Sequence, residues 1–203
     1  DSATLVAATW GPKRVSLLLL DPNGNRVTSF GENGCGPAVG FAIYYIAPGL
    51  DGTIYLGGAV AICPCSVKEG VTHFEPIVAR LDANGNLDPG FGRGGVVRLH
   101  ADLKIPLETL ETRGTNGIAP TAVGGLVVAT GKALVGLAPD GSFAAGFGKD
   151  GQVALGGFAR ALTQLPGGKL VVAENSVEFP FEEPRYVVLA RYLPDGAPEP
   201  TFG

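Results

Sequence analysis

The segment Asp82-Ala-Asn-Gly-Asn-Leu-Asp-Pro-Gly-Phe91-Gly92 follows an apolar run at residues 77–81, and the chain repeats it in altered form. Asp21-Pro-Asn-Gly-Asn-Arg-Val-Thr-Ser-Phe30-Gly31 follows an apolar run at 15–20. Asp140-Gly-Ser-Phe-Ala-Ala-Gly-Phe147-Gly148 follows 133–138, and Asp195-Gly-Ala-Pro-Glu-Pro-Thr-Phe202-Gly203 follows 186–193. The phenylalanines are 61, 56 and 55 residues apart. Self-similarity at such a period marks a repeat architecture.

A second pattern lies between these segments. Ile43-Tyr-Tyr-Ile-Ala-Pro-Gly-Leu-Asp-Gly-Thr-Ile-Tyr-Leu-Gly-Gly58 is apolar run, turn, apolar run. Residues 118–130 repeat it around Gly124-Gly125, and 159–173 around Pro166-Gly167-Gly168. Asp-Gly and Gly-Gly between β-rich runs predict hairpins, because tight turns need residues that tolerate positive φ. Each unit therefore reads as strand, turn, strand, loop, strand, turn, strand. Four short strands in about 40–60 residues is the size of a β-propeller blade. The predicted fold is all-β, with about four blades of four-stranded antiparallel sheet in a single repeat domain over residues 1–203. The repeats divide at approximately 1–38, 39–99, 100–156 and 157–203. Residues 100–111 carry the nearest thing to a helical pattern, but Pro106 interrupts it and predicts a loop or single turn.

Composition agrees. Apolar residues make up 45% and charged residues 17%, enough for a buried core and against disorder. The 32 glycines and 16 prolines punctuate apolar runs, as turns between short strands do. The formal charge of −4, with no basic stripe, speaks against a nucleic-acid partner. No apolar run is long enough to insert in a membrane as a helix. The chain lacks methionine and starts inside a unit, at its second strand. A processed chain or a piece of a larger one is expected.

The segment Val188-Leu-Ala-Arg-Tyr-Leu-Pro-Asp-Gly196, followed by Thr201-Phe-Gly203, resembles the delta-60 repeat family. In that family an apolar strand of this type leads to a phenylalanine-glycine near the end of a blade. Val78-Ala-Arg-Leu-Asp82 through Phe91-Gly92 matches nearly as well. The third unit has Gly136 and the first Leu19 where the arginine stands. The resemblance covers essentially the whole chain. It implies a propeller in exported or cell-surface bacterial proteins and supplies no catalytic residues.

Each recurring phenylalanine is expected to pack between neighbouring blades, with glycines around it allowing close approach. Arg80 and Arg191, in otherwise apolar strands, should each pair with a carboxylate or a carbonyl. Asp82, Asn84, Asn86 and Asp88 alternate around a glycine. Their oxygens would suit calcium, although turn chemistry alone accounts for Asn-Gly, and no other cofactor is indicated. Among Cys35, Cys63 and Cys65, a bridge from Cys35 to Cys63 or Cys65 stands beside ordinary reduced thiols and a metal site.

Two stretches break the repeat and are expected to form long loops between second and third strands. One runs from Cys63 past His73 and Glu75. The other carries Phe179, Phe181, Glu182 and Glu183, apolar rings beside carboxylates that could dock a partner. His73 with Glu75 is the nearest approach to an acid–base pair, and a solvated loop accounts for both. His100 lies on a different segment. No nucleophile elbow, phosphate loop or zinc-protease helix is present.

The sequence thus points to a non-enzymatic, exported β-propeller module serving protein interaction, adhesion or scaffolding. Its partner would be another protein, or further blades of its own kind in a larger or oligomer-completed propeller. Two alternatives remain: a ligand-binding or enzymatic propeller with a central-channel site, and a self-assembling homo-oligomeric subunit.

Overall fold

A computed structural model describes residues 4–9, 15–32, 34–37, 39–62, 73–106, 114–175 and 187–202. Two complete blades stand at its centre. One runs β3 (Ala42–Pro48), β4 (Ile54–Ile62), β5 (His73–Leu81) and β6 (Val96–Arg98), in that spatial order. The next runs β7 (Thr115–Pro120), β8 (Leu126–Thr130), β9 (Ala133–Leu137) and β10 (Gln152–Ala154). Before them lies the hairpin of β1 (Thr4–Thr9) and β2 (Val15–Leu20). After them lies a three-stranded sheet of β11 (Phe158–Gln164), β12 (Leu170–Asn175) and β13 (Val187–Tyr192). All pairings are antiparallel, and there is no α-helix among the described residues.

Register identifies which strand is which. Thr4 opposes Leu20 as Ile54 opposes Leu81, Leu126 opposes Leu137 and Leu170 opposes Tyr192. The β1–β2 hairpin therefore supplies the second and third strands of the first blade. The first strands β3, β7 and β11 lie side by side from blade to blade. Each carries a bulge at the same place, at Tyr44, Asn116 and Arg160. The predicted turns form where the glycines are: Gly52, Gly124 and Gly168 all have positive φ.

One expectation needs correction. Glu75 is a strand residue, not a loop residue: β5 begins at His73, and Glu75 is fully buried opposite Val60. The strand extends this far because Phe74 and Pro76 continue its pairing with β4, and Arg98 compensates the charge that is buried.

Three apolar cores fill the three seams between successive blades. Leu17, Phe30, Leu56 and Leu81 occupy the first. Tyr55, Val78, Phe91 and Leu137 occupy the second, and Leu134, Phe147, Leu170 and Tyr192 the third. Phe30, Phe91 and Phe147 are each at most 4% exposed, so the repeated phenylalanine is the inter-blade residue that the sequence predicts. Burying such a side chain stabilises the fold by about 1.5–3 kcal/mol.

The glycine after each phenylalanine fastens the seam. The Gly31 N–H donates to the Asn84 carbonyl at 2.6 Å, Gly92 to Asp140 at 2.8 Å, and Gly148 to Asp195 at 2.7 Å. Each acceptor directly precedes a positive-φ glycine in the next blade: Gly85, Gly141 and Gly196. The two arginines stand at the same place in their blades, and Arg80 braces the joint. Arg80 Nε donates to Asp88 at 2.8 Å, its guanidinium lies 5.0 Å from the Phe91 ring centre, and Nη1 reaches across to the Pro139 carbonyl. Arg191 repeats this with Glu199 at 2.7 Å and the Phe202 ring at 4.5 Å.

Candidate functional site

Antiparallel pairing brings the tight turns of successive blades to one end. At the turn end, the β3–β4, β7–β8 and β11–β12 turns border a cleft of about 940 Å³. Pro48 and Leu50 come from the first of these turns, Pro120 and Val123 from the second, and Leu165 and Pro166 from the third. Its floor is made by seam residues, among them Leu126, Leu137, Phe147 and Leu170. Asp195 is the one ionisable lining residue, and its Oδ1 accepts from the Ala197 amide at 2.9 Å. Large apolar side chains stand out at the rim: Val123 is 77% exposed and Leu50 47%. Such a surface can desolvate apolar groups of a partner. Its polar side chains are Thr121, Gln164 and Asp195.

At the other end, the buried polar groups hold structure together. Glu75 accepts from Arg98 Nη2 at 2.5 Å and Nε at 2.9 Å, and from the Ala101 amide at 2.6 Å. Glu174, 4% exposed, accepts from the Gly157 amide at 2.8 Å and the Tyr192 hydroxyl at 3.3 Å. Burial, with the Glu174 charge beside it, pushes the Tyr192 phenol up to about 12. His100 Nδ1 lies 2.8 Å from the Ile105 carbonyl, inside a tight turn. These groups face one another or the backbone, and none of them points into the cleft.

The structure distributes the residues singled out in the sequence rather than gathering them. Asp82 Oδ1 accepts from the amides of Asn84 and Asn86, both at 2.9 Å. Asp88 faces Arg80 with one oxygen and the Gly90 amide with the other. The Asp82 and Asp88 carboxylates thus serve a turn and a blade joint. Cys35 has no disulfide partner among the described residues, and the Arg26 guanidinium lies 2.5 Å from its Sγ. Cys63, Cys65, Phe179, Phe181, Glu182 and Glu183 lie outside the described residues, as does the side chain of His73. Sequence reasoning passed over Leu50 and Val123. The available signal was a large apolar residue inside a hairpin turn, directly before Asp51-Gly52 and Gly124-Gly125.

Comparison with known proteins adds to the fold and little beyond it. Residues 72–91 match a family model described as a domain of unknown function (DUF5122) beta-propeller. A structure described as a protein of unknown function from Bacteroides caccae is similar at 13% identity, with a TM-score of 0.35. The match covers 86% of this chain and 66% of that one, so the chain spans just under two thirds of that structure's length. No curated protein matches the sequence.

Proposed function

We propose that this β-propeller domain is a non-catalytic interaction module that takes an extended apolar segment of a protein partner into the turn-end cleft. One observation carries the reading: a cleft of about 940 Å³ formed by three successive blades and lined mainly by apolar residues, with Thr121, Gln164 and Asp195 as its polar side chains. Rigid blades supply a preformed floor, and the turns supply the variable rim. Placement outside the cell and a delta-60 type of repeat belong to the same proposal. Their support is the run from Val188 to Gly196, ending at Phe202-Gly203.

Selection of displayed random peptides on the immobilised chain tests this. Enrichment of apolar, extended peptides that bind the unaltered chain and not Val123→Asp supports the proposal. Equal binding to both proteins removes the cleft from it. Turnover of a panel of chromogenic glycosides, esters and lactones overturns the non-catalytic part.

A further inference from the structure

The four repeats differ in what stands at one pair of places. Backbone hydrogen bonds fix the correspondence: the Val27 amide donates to the Leu19 carbonyl, Asp88 to Arg80, Ala144 to Gly136 and Glu199 to Arg191. Arg80 with Asp88 and Arg191 with Glu199 fill the place as ion pairs. Leu19 and Val27 fill it as apolar side chains packed on the first core. The third repeat has a glycine and an alanine there.

The consequence is open space at the third seam. In the second seam, a Cβ on Gly90 would lie 3.2 Å from Asp88 Oδ1 and 3.7 Å from Arg80 Nη2. Gly146 follows Ala144 by two residues, as Gly90 follows Asp88, and nothing lies within 4 Å of its Cβ position. Gly136, Ala144, Gly146 and Phe147 all line the turn-end cleft. The cleft therefore reaches into the place that the Arg80–Asp88 pair fills one seam earlier.

The groups that Arg80 meets recur there without it. Arg80 lies over the Phe91 ring and donates through Nη1 to the Pro139 carbonyl. Asp140, the next residue, is held below the ordinary carboxylate range by the Ser142 hydroxyl and amide, with the Arg80 charge acting in the same direction. The counterparts in the third seam are the Phe147 ring, the Pro194 carbonyl and the Asp195 carboxylate, and all three residues border the cleft. No lysine, arginine or histidine lines it. Among the described residues, no hydrogen-bond donor reaches the Pro194 carbonyl.

We infer that the partner segment carries an arginine whose guanidinium seats in this space, above the Phe147 ring, donating to the Pro194 carbonyl and pairing with the Asp195 carboxylate. The inference rests on the reading of the cleft as a peptide site and adds the residue that the site selects. The chain supplies the template, because Arg80 makes the equivalent contacts from within. Arginine fits where lysine does not: a planar fork serves a carbonyl and a carboxylate together and lies flat on a ring.

A displayed library of fully randomised heptapeptides, selected on the unaltered chain, tests the inference. Expected are apolar peptides that carry one arginine. Synthetic copies with citrulline in its place keep the shape and lose the charge, and they should bind about tenfold more weakly in fluorescence anisotropy. On Asp195→Asn, which keeps the oxygen that accepts from the Ala197 amide, most of that difference should disappear. Gly146→Val places a side chain in the open space without positive φ, and it should weaken the arginine copies about as much as citrulline does. Circular dichroism checks that both variants are folded. Apolar peptides selected without arginine overturn this inference and leave the peptide cleft standing. A pool in which no peptide is lost on Val123→Asp overturns both. An arginine preference that survives Asp195→Asn or Gly146→Val, or that lysine satisfies equally, also overturns the inference. Should Gly146→Val misfold, Asp195→Asn alone decides.

Discussion

The ring of Phe30 occupies the space that a side chain on Gly85 would need: a Cβ there would come within 2.5 Å of Cε2. Two recurring features of the sequence, Phe-Gly at the end of one repeat and Asn-Gly in the next, are thus the two sides of one contact. The repeat is periodic in sequence because the seam is periodic in space. Close approach of turn and ring excludes a side chain, and the backbone at Gly85, with φ +83°, disfavours one independently.

This separates turn glycines that look alike. Gly141→Ala meets Val97 Cγ2 at 2.7 Å and the Gly92 amide at 2.8 Å, while Gly24→Ala meets nothing. Both bear the cost of a non-glycine residue at positive φ, about 1 kcal/mol. Only Gly141→Ala adds overpacking, about 1–3 kcal/mol more. Urea denaturation of the two variants should show Gly141→Ala as clearly the less stable. Equal midpoints would mean that the seam yields without cost.

The ring itself can be weighed in the same way. Phe91 is fully buried, meets Tyr55 edge-on at 5.8 Å, and lies under Arg80. Phe91→Ala should cost about 3–5 kcal/mol. Phe202→Ala, at the half-buried counterpart, should cost well below that range. Chemical denaturation at a protein concentration where the chain is monomeric compares them.

The blades were legible because they follow from local rules. Alternating apolar runs and turn glycines define β3 through β12, and the spacing of the phenylalanines defines the seams. Glu75 was misread because its neighbours are atypical: a histidine, a glutamate and a proline in succession look like a loop. The compensating Arg98 lies 23 residues away, and no local pattern announces such a pair. The cleft was illegible for a related reason. Leu50 and Val123 are unremarkable singly, and they acquire meaning only when adjacent blades bring three turns to one edge. The segment from Asp82 to Asp88 carries the turn chemistry that its sequence offers beside a calcium site. Asp82 accepts two amides of its own turn, which is the local need an Asp-x-Asn-Gly segment meets.

Arg98 and Glu75 make a direct test of that distant pairing. Glu75 is 0% exposed, so Arg98→Ala leaves a carboxylate buried without its cation. Losses on breaking a buried pair are about 3–5 kcal/mol. The value here should fall toward or below the lower end, because the Arg98 side chain is 42% exposed and partly solvated. Adding Glu75→Gln to Arg98→Ala should recover part of the loss, since an amide needs no counter-charge. A double-mutant cycle in denaturant checks this, and strictly additive effects would refute the pairing.

Tyr192 and Glu174 give the chain a pH dependence with a definite sign. Burial raises the Tyr192 phenol to about 12, and the Glu174 carboxylate beside it works in the same direction. The unfolded chain titrates its tyrosine at the ordinary value near 10, so over that interval the folded state holds the proton more tightly. Stability from this source is fully present below about pH 10 and declines between about pH 10 and 12 as the unfolded state loses its proton first. Each unit of displacement corresponds to at most about 1.4 kcal/mol. Denaturation midpoints followed from neutral to alkaline pH should fall more steeply for the unaltered chain than for Tyr192→Phe. The phenylalanine variant cannot ionise and starts lower, because it leaves Glu174 without its hydroxyl donor. Parallel curves would mean that the phenol titrates alike in the folded and unfolded chain, and that the third seam is open to solvent.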